Sequence, residues 1–231
     1  MKRVKAGVVV FPGSNCDHDA FYALKHILGN DVDFLWHKEK LNAKYDLIIL
    51  PGGFSYGDYP RTGAIAKFSP IMDNVVDFAE KGGTLMGICN GFQILTESGL
   101  LPGVLVRNES LRFVCKDTFL KIENPHSRFT DSIKASQTLK IPVAHGDGCY
   151  FASPDIVSAL YENHQVIFRY CSPDGEIDEI SNPNGSVTNI AGIINKKGNV
   201  LGMMPHPERC CDPVLGNSDG SLIFNSILRH L

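Results

Sequence analysis

The stretch Thr84-Leu85-Met86-Gly87-Ile88-Cys89-Asn90-Gly91-Phe92-Gln93-Ile94-Leu95 constrains this chain more than any other. Its first residues suit a short strand covered on both faces and its last ones open a helix. One cysteine stands at the turn between them. Glycines lie two residues before and two after that cysteine. This is the pattern of a nucleophile elbow, whose apex residue is held in a strained backbone and whose second neighbours must be small for strand and helix to approach. Cys89 is therefore the candidate nucleophile. A helix start also favours a thiolate through the positive end of the dipole, and the N–H of Asn90 would face a developing oxyanion. A cysteine in an apolar strand can equally be a small buried hydrophobe. The choice rests on whether the rest of the chain supplies a base.

Around this stretch the pattern is that of an α/β protein. Residues 6–11 form a continuous apolar run, as in a parallel strand buried on both faces. Asp17 is predicted to cap a helix whose apolar face holds Phe21, Leu24, Ile27 and Leu28, with Gly29 as its stop. Further strands are predicted at 32–36 and 46–50. The second of these runs into Pro51-Gly52-Gly53-Phe54-Ser55-Tyr56-Gly57-Asp58, whose glycines expose backbone N–H groups beside the elbow and can supply a second oxyanion donor, assigned to Gly53. This loop has neither the dinucleotide nor the Walker spacing. Ser69-Pro70 opens a helix that Gly82-Gly83 closes. Beyond residue 103 strands and turns dominate, with a hairpin of 190–194 and 199–204 across Lys196-Lys197-Gly198, and a last helix near 221–230. A doubly wound, mostly parallel sheet flanked by helices with an antiparallel C-terminal extension is predicted, as one domain over 1–231.

A thiolate needs an imidazole, and the imidazole a third group to fix its tautomer. Pro205-His206-Pro207-Glu208 ends an apolar strand, and the prolines predict an extended segment. Side chains two apart then share a face, which brings Glu208 to His206. His145, with Asp147 two residues on, is the alternative base. His18, His26, His37 and His230 fall on stretches that read as solvated faces. Cys16, on the loop after the first strand, lacks flanking glycines and reads as a bystander thiol. Cys210-Cys211 lacks the spacing of a zinc site, and a vicinal disulfide would be strained, so no metal site is predicted.

The seven cysteines show no framework spacing, which suits a reducing, cytoplasmic setting. A net charge of −3 with scattered basic residues argues against nucleic acid and anionic membranes as partners. No apolar run reaches membrane-spanning length. The opening residues 1–11 are too short in apolar length for a secretory leader and read as strand.

Gly87-Ile88-Cys89-Asn90-Gly91-Phe92-Gln93 together with Pro205-His206-Pro207-Glu208 resembles the class I (triad) glutamine amidotransferases. Within that family, residues 11–17, 51–59, 107–113 and 182–186 resemble the glutaminase subunits of a purine-biosynthesis synthetase, and the likeness spans nearly the whole chain. Pro60 and Glu179-Ile180-Ser181 depart from the usual pattern in loops away from the triad. The resemblance implies a flavodoxin-like fold and L-glutamine as substrate, with Cys89, His206 and Glu208 as the triad. It also implies that Gly53 and Asn90 line the oxyanion hole and that Gln93 helps to hold glutamine. No cofactor is expected on this chain. ATP and Mg²⁺ are expected on a partner synthetase subunit, which a small accessory subunit accompanies. A glutaminase serving another acceptor, and a silent regulatory subunit, are the competing readings.

Overall fold

The computed structural model describes residues 3–41 and 43–231; Met1 and Lys2 of the predicted first stretch lie outside them. In chain order the strands are β1 (Lys5–Val10), β2 (Asp31–Trp36), β3 (Leu47–Leu50), β4 (Thr84–Ile88), β5 (Val104–Val106), β6 (Val114–Ile122), β7 (Leu139–His145), β8 (Cys149–Phe151), β9 (Val166–Cys171), β10 (Ile190–Ile194) and β11 (Val200–Met203). The α-helices are α1 (Asp17–Tyr22), α2 (Pro70–Glu80), α3 (Asn90–Glu97), α4 (Pro154–Glu162) and α5 (Asp219–Arg229). The main sheet runs β2-β1-β3-β4-β11-β10-β9-β6-β7, while β5 and β8 form a separate ribbon.

From β2 to β11 the strands are parallel. From β11 to β7 they alternate in direction. The antiparallel part thus draws on the middle of the chain as well as its end. Every residue of β3, β4, β10 and β11 is buried, which is why these strands are continuous apolar runs. β2, at the sheet edge, is only partly covered: Val32 and Leu35 are buried, while Asp31, Phe34 and Trp36 are exposed. The parallel arrangement gathers the C-terminal ends of β3, β4 and β11 at one rim, where sites in open α/β sheets form.

Three local predictions need correction. Cys16, not Asp17, is the N-cap residue of the first helix, and Asp17 is its first helical residue. That helix leaves α geometry at Ala23–Ile27 for a π turn, closed by Leu28 N–H donating to the Ala23 carbonyl at 3.0 Å. Pro207–Cys210 is a 3-10 turn rather than extended chain. Proline restricts the residue before it, and His206 is indeed non-helical at φ −103°, ψ 84°. Its own fixed φ also suits the first position of a helical turn, and here that preference prevails.

Candidate active site

Cys89 sits at φ 51°, ψ −105° between β4 and α3. Such a backbone costs a non-glycine residue about 1–3 kcal/mol. Bonds on both sides hold it: its N–H donates to the Met203 carbonyl at 2.8 Å, and its carbonyl accepts from Gln93 N–H at 3.2 Å. The glycine bracket has the predicted physical cause. A Cβ on Gly87 would lie 2.6 Å from the Gly91 carbonyl oxygen, and one on Gly91 would overlap the carbonyl of Leu50. Asn90, as first residue of α3, has no intrahelical acceptor for its N–H.

His206 follows β11, the parallel neighbour of β4. Its N–H donates to the Pro142 carbonyl at 2.8 Å. Nδ1 lies 2.6 Å from Glu208 Oε1, with both side chains buried. The 3-10 turn therefore achieves the pairing that an extended segment was predicted to give. Nε2 makes no hydrogen bond of ordinary geometry, and neither does Glu208 Oε2. The sulfurs of Cys89 and Cys16 are nevertheless close enough to act on the ring. Burial lowers the His206 pKa, but the Glu208 carboxylate, then Cys89, and contacts to both sulfurs outweigh it and hold the pKa well above the usual histidine range. The site is built to keep an imidazolium beside a sulfur.

The Pro51-Gly52-Gly53 loop closes the arrangement. A Cβ on Gly52 would lie 2.7 Å from His206 Cε1, 3.2 Å from Cys16 Sγ and 3.4 Å from Cys89 Cβ, so the bare backbone of Gly52 is what lets the three groups meet. Gly53, at φ +139°, bridges to Ser14, where a Cβ would strike the Ser14 Cα and Asn15 N at 2.7 Å. Gln93 is buried with both ends of its amide engaged: Oε1 accepts from Asn90 Nδ2 at 2.8 Å, and Nε2 donates to the Asp147 carbonyl at 2.6 Å. It ties the first turn of α3 to the loop after β7. Asn90 Oδ1 also accepts from Ser55 N–H at 3.1 Å, and its Nδ2 reaches Asp58 Oδ1 at 3.4 Å. Burial, and then the charge of Asp147, raise the Asp58 pKa to about 6.

His145 is buried near His206, but Asp147 is not its orienting partner. Its Nδ1 faces Asn108 Oδ1 at 3.1 Å and its Nε2 faces Asn184 Nδ2 at 3.4 Å. Burial first, and the His206 charge second, push its pKa down to about 4, leaving it neutral. His37 is not on a solvated face either. It is buried, with Tyr56 Oη 2.7 Å from its Nδ1. Cys210 and Cys211 are free buried thiols that donate to backbone carbonyls of the 206–207 turn, and burial raises the Cys210 pKa to about 12.

Cys16 is the group the sequence undervalued. It packs against His206, and Arg209 Nη2 donates to its sulfur at 2.9 Å. No spacing rule could have found it, because a loop after β1 and a turn after β11 meet only in the folded chain. Among the described residues, no helix is long and apolar enough to cross a membrane.

A sulfur on a strand-to-helix elbow, facing an imidazole that a buried carboxylate holds, is the arrangement that a thiol-nucleophile site of the amidotransferase class requires. The model of the CobB/CobQ-like glutamine amidotransferase domain matches residues 3–221. The chain is 58% identical to the phosphoribosylformylglycinamidine synthase subunit PurQ of Moorella thermoacetica, over 97% of this chain and 95% of that one. It is 56% identical to the PurQ subunit of Salinibacter ruber, over 97% and 96%. In the solved structure of PurLQS from Thermotoga maritima, a chain 44% identical superimposes with a TM-score of 0.87, covering 99% of both chains. The crystal structure of a glutamine amidotransferase from Thermotoga maritima shares the fold at a TM-score of 0.59 and 16% identity, covering 100% of this chain and 92% of that one. The chain belongs to the glutamine amidotransferases and, within them, to the family of the phosphoribosylformylglycinamidine synthase subunit PurQ.

Proposed function

We propose that this chain is the glutaminase subunit of a phosphoribosylformylglycinamidine synthase, with Cys89, His206 and Glu208 as its catalytic triad. Cys89 attacks the side-chain carboxamide of L-glutamine. The N–H groups of Asn90 and Gly53 hold the oxyanion. His206, its tautomer fixed by Glu208, gives its proton to the departing ammonia and then takes one from water as the glutamyl thioester is hydrolysed to glutamate. Gln93 acts by holding Asn90 and the 147 loop around the bound substrate. The observation that carries this reading is the buried 2.6 Å pair of His206 and Glu208 facing the Cys89 sulfur.

Ammonia becomes an ammonium ion in bulk water, so it must pass directly to its acceptor. That acceptor, formylglycinamide ribonucleotide, is bound with ATP and Mg²⁺ on a partner synthetase subunit. One small accessory subunit completes the complex, and the setting is cytoplasmic. The name PurLQS of the Thermotoga maritima assembly supports such a complex. The test is glutamate and ammonia release from glutamine by the chain, alone and with its synthetase partner and substrates. Glutamine-dependent turnover is expected, and Cys89→Ala is expected to abolish it while ammonia-dependent synthesis by the complex survives. Turnover that persists in Cys89→Ala would overturn the assignment. Normal ammonia production that no formylglycinamide ribonucleotide synthetase can use would point to another acceptor.

A further inference from the structure

Catalysis as proposed uses Cys89, His206 and Glu208 and leaves Cys16 without a task, although its buried sulfur lies within 4.8 Å of a His206 ring nitrogen and a Glu208 carboxylate oxygen. That sulfur is held in place by its neighbours. Arg209 Nη2, which can only donate, lies 2.9 Å from it, and Arg209 is itself paired with Asp19, whose Oδ2 is 3.4 Å from its Nε. The thiol donates to Asn15 Oδ1 at 3.6 Å, and the Cys16 N–H donates to the Gly52 carbonyl at 3.2 Å. With its proton on Asn15, the sulfur can offer the ring only lone pairs. Glu208 occupies Nδ1, and Nε2 is buried without a hydrogen bond of ordinary geometry, so Nε2 is the nitrogen left to the sulfurs.

We propose that Cys16 is a positioning residue for the second half of the reaction, a role that rests on the glutaminase reading: its sulfur keeps the His206 ring in place while Cys89 is tied up in the thioester. In the first half the Cys89 thiolate faces the imidazolium and holds it. Once acylated, that sulfur carries no charge, and only Glu208 and Cys16 still hold the ring. Hydrolysis then requires the ring to become charged again. The water oxygen bonds to the glutamyl carbonyl carbon and one water proton passes to Nε2. The carbon–sulfur bond breaks, Cys89 leaves as a thiolate beside the imidazolium, and the new carboxyl group loses its proton to solvent as glutamate. A lone pair already set against the ring favours that charge, as hydrogen bonding to a charged form does. The titratable and charged groups around His206 are Glu208, Cys89 and Cys16 on the ring, the neutral His145 near it, and Arg209 with Asp19 behind the Cys16 sulfur. Replacing Cys16 leaves the others in place and opens the ring to the Arg209 charge, which also disfavours an imidazolium.

The test compares Cys16→Ala, Cys16→Val and Cys16→Ser with the wild type. C16A and C16V both remove the lone pairs, but C16V fills the space and so also serves where C16A fails to fold; C16S restores an acceptor. In the complex with the synthetase partner, the glutamyl thioester on Cys89, trapped by acid quench and read by peptide mass, is expected to accumulate in C16A and C16V. Their kcat for glutamate release should fall about tenfold, as the loss of a hydrogen bond to a charged group costs, and KM should fall with it because acylation continues. C16S is expected to recover part of kcat. The His206 ring titration, followed by NMR in the full chain without glutamine, should have a lower midpoint in C16A and C16V than in the wild type, with C16S between them. Wild-type turnover in C16V with slow turnover in C16S would make Cys16 a packing residue and overturn the proposal, as would equal ring midpoints in all four proteins. A wild type that forms no thioester at all would count against the glutaminase reading instead, and the substrate-free ring titration would still decide whether Cys16 acts on His206.

Discussion

Gly52 carries no side chain because His206, Cys16 and Cys89 already surround the place where one would go. Gly52→Ala is expected to push the imidazole away from the sulfur. A shift of about 1 Å in reacting groups costs roughly 10²-fold in rate, so glutamate release should fall by about that factor. The loss should appear in kcat more than in KM, since the displaced groups act on the reacting bond. Glu208→Gln keeps the volume and removes the charge that favours the imidazolium. Glutamine turnover should fall by up to roughly 10⁴-fold with the far-ultraviolet circular dichroism unchanged. A near-normal rate in Glu208→Gln would remove Glu208 from the proposed triad. Cys89, Gly87 and Gly91 were legible in the sequence because an elbow imposes its sterics over five consecutive residues. Cys16 and Arg209 were not, since their contact depends on two segments far apart along the chain.

At the scale of elements, the packing of α3 on β3 and β4 sets where Cys89 stands. Gly91 faces the Leu50 carbonyl, backbone against backbone, and no side-chain rotation can relieve an added methyl. Gly91→Ala should therefore destabilise the fold by about 1–3 kcal/mol or more, read from the urea midpoint, and lower activity with it. Gly146→Ala is the control. Its nearest neighbour would be Phe113 Cδ2 at 3.8 Å, so its midpoint should move by less than about 0.5 kcal/mol. Element types were readable from apolar runs and from Ser-Pro and Gly-Gly punctuation. The 3-10 turn at Pro207–Cys210 was not, because proline is compatible both with extended chain and with the first position of a helical turn. What selects the turn is the packing of α1, α5 and β7 against it.

For the whole molecule, two buried histidines give opposite pH dependences. The folded pKa of His145 is depressed to about 4 from the ordinary histidine value of 6.5. Between those values the unfolded chain takes up a proton that the folded chain refuses, so stability falls as pH drops from about 6.5 to about 4. The full span is on the order of 3 kcal/mol. His206 has a raised folded pKa, so its contribution is fully present below the unfolded value and is lost as pH rises through the folded one. Urea midpoints at pH 7, 5.5 and 4.5 should decline in the wild type and decline less in His145→Gln. Parallel acid limbs in the two proteins would show that His145 is not held neutral.

The strand–elbow–helix, the glycine bracket around Cys89 and the pairing of His206 with Glu208 were already written in the order of the residues, because each is governed by forces acting over a few near neighbours. The Pro-His-Pro-Glu context already favoured His206 over His145, but the contact of its ring with the sulfur is made only in the folded chain. The register of β11 on β4 brings His206 to the rim, while Asn108 and Asn184 hold His145 as a neutral side chain. The same long-range packing seats Cys16 beside the ring. Pairing of distant strands is set by burial summed over the whole sheet, and no local pattern contains that sum.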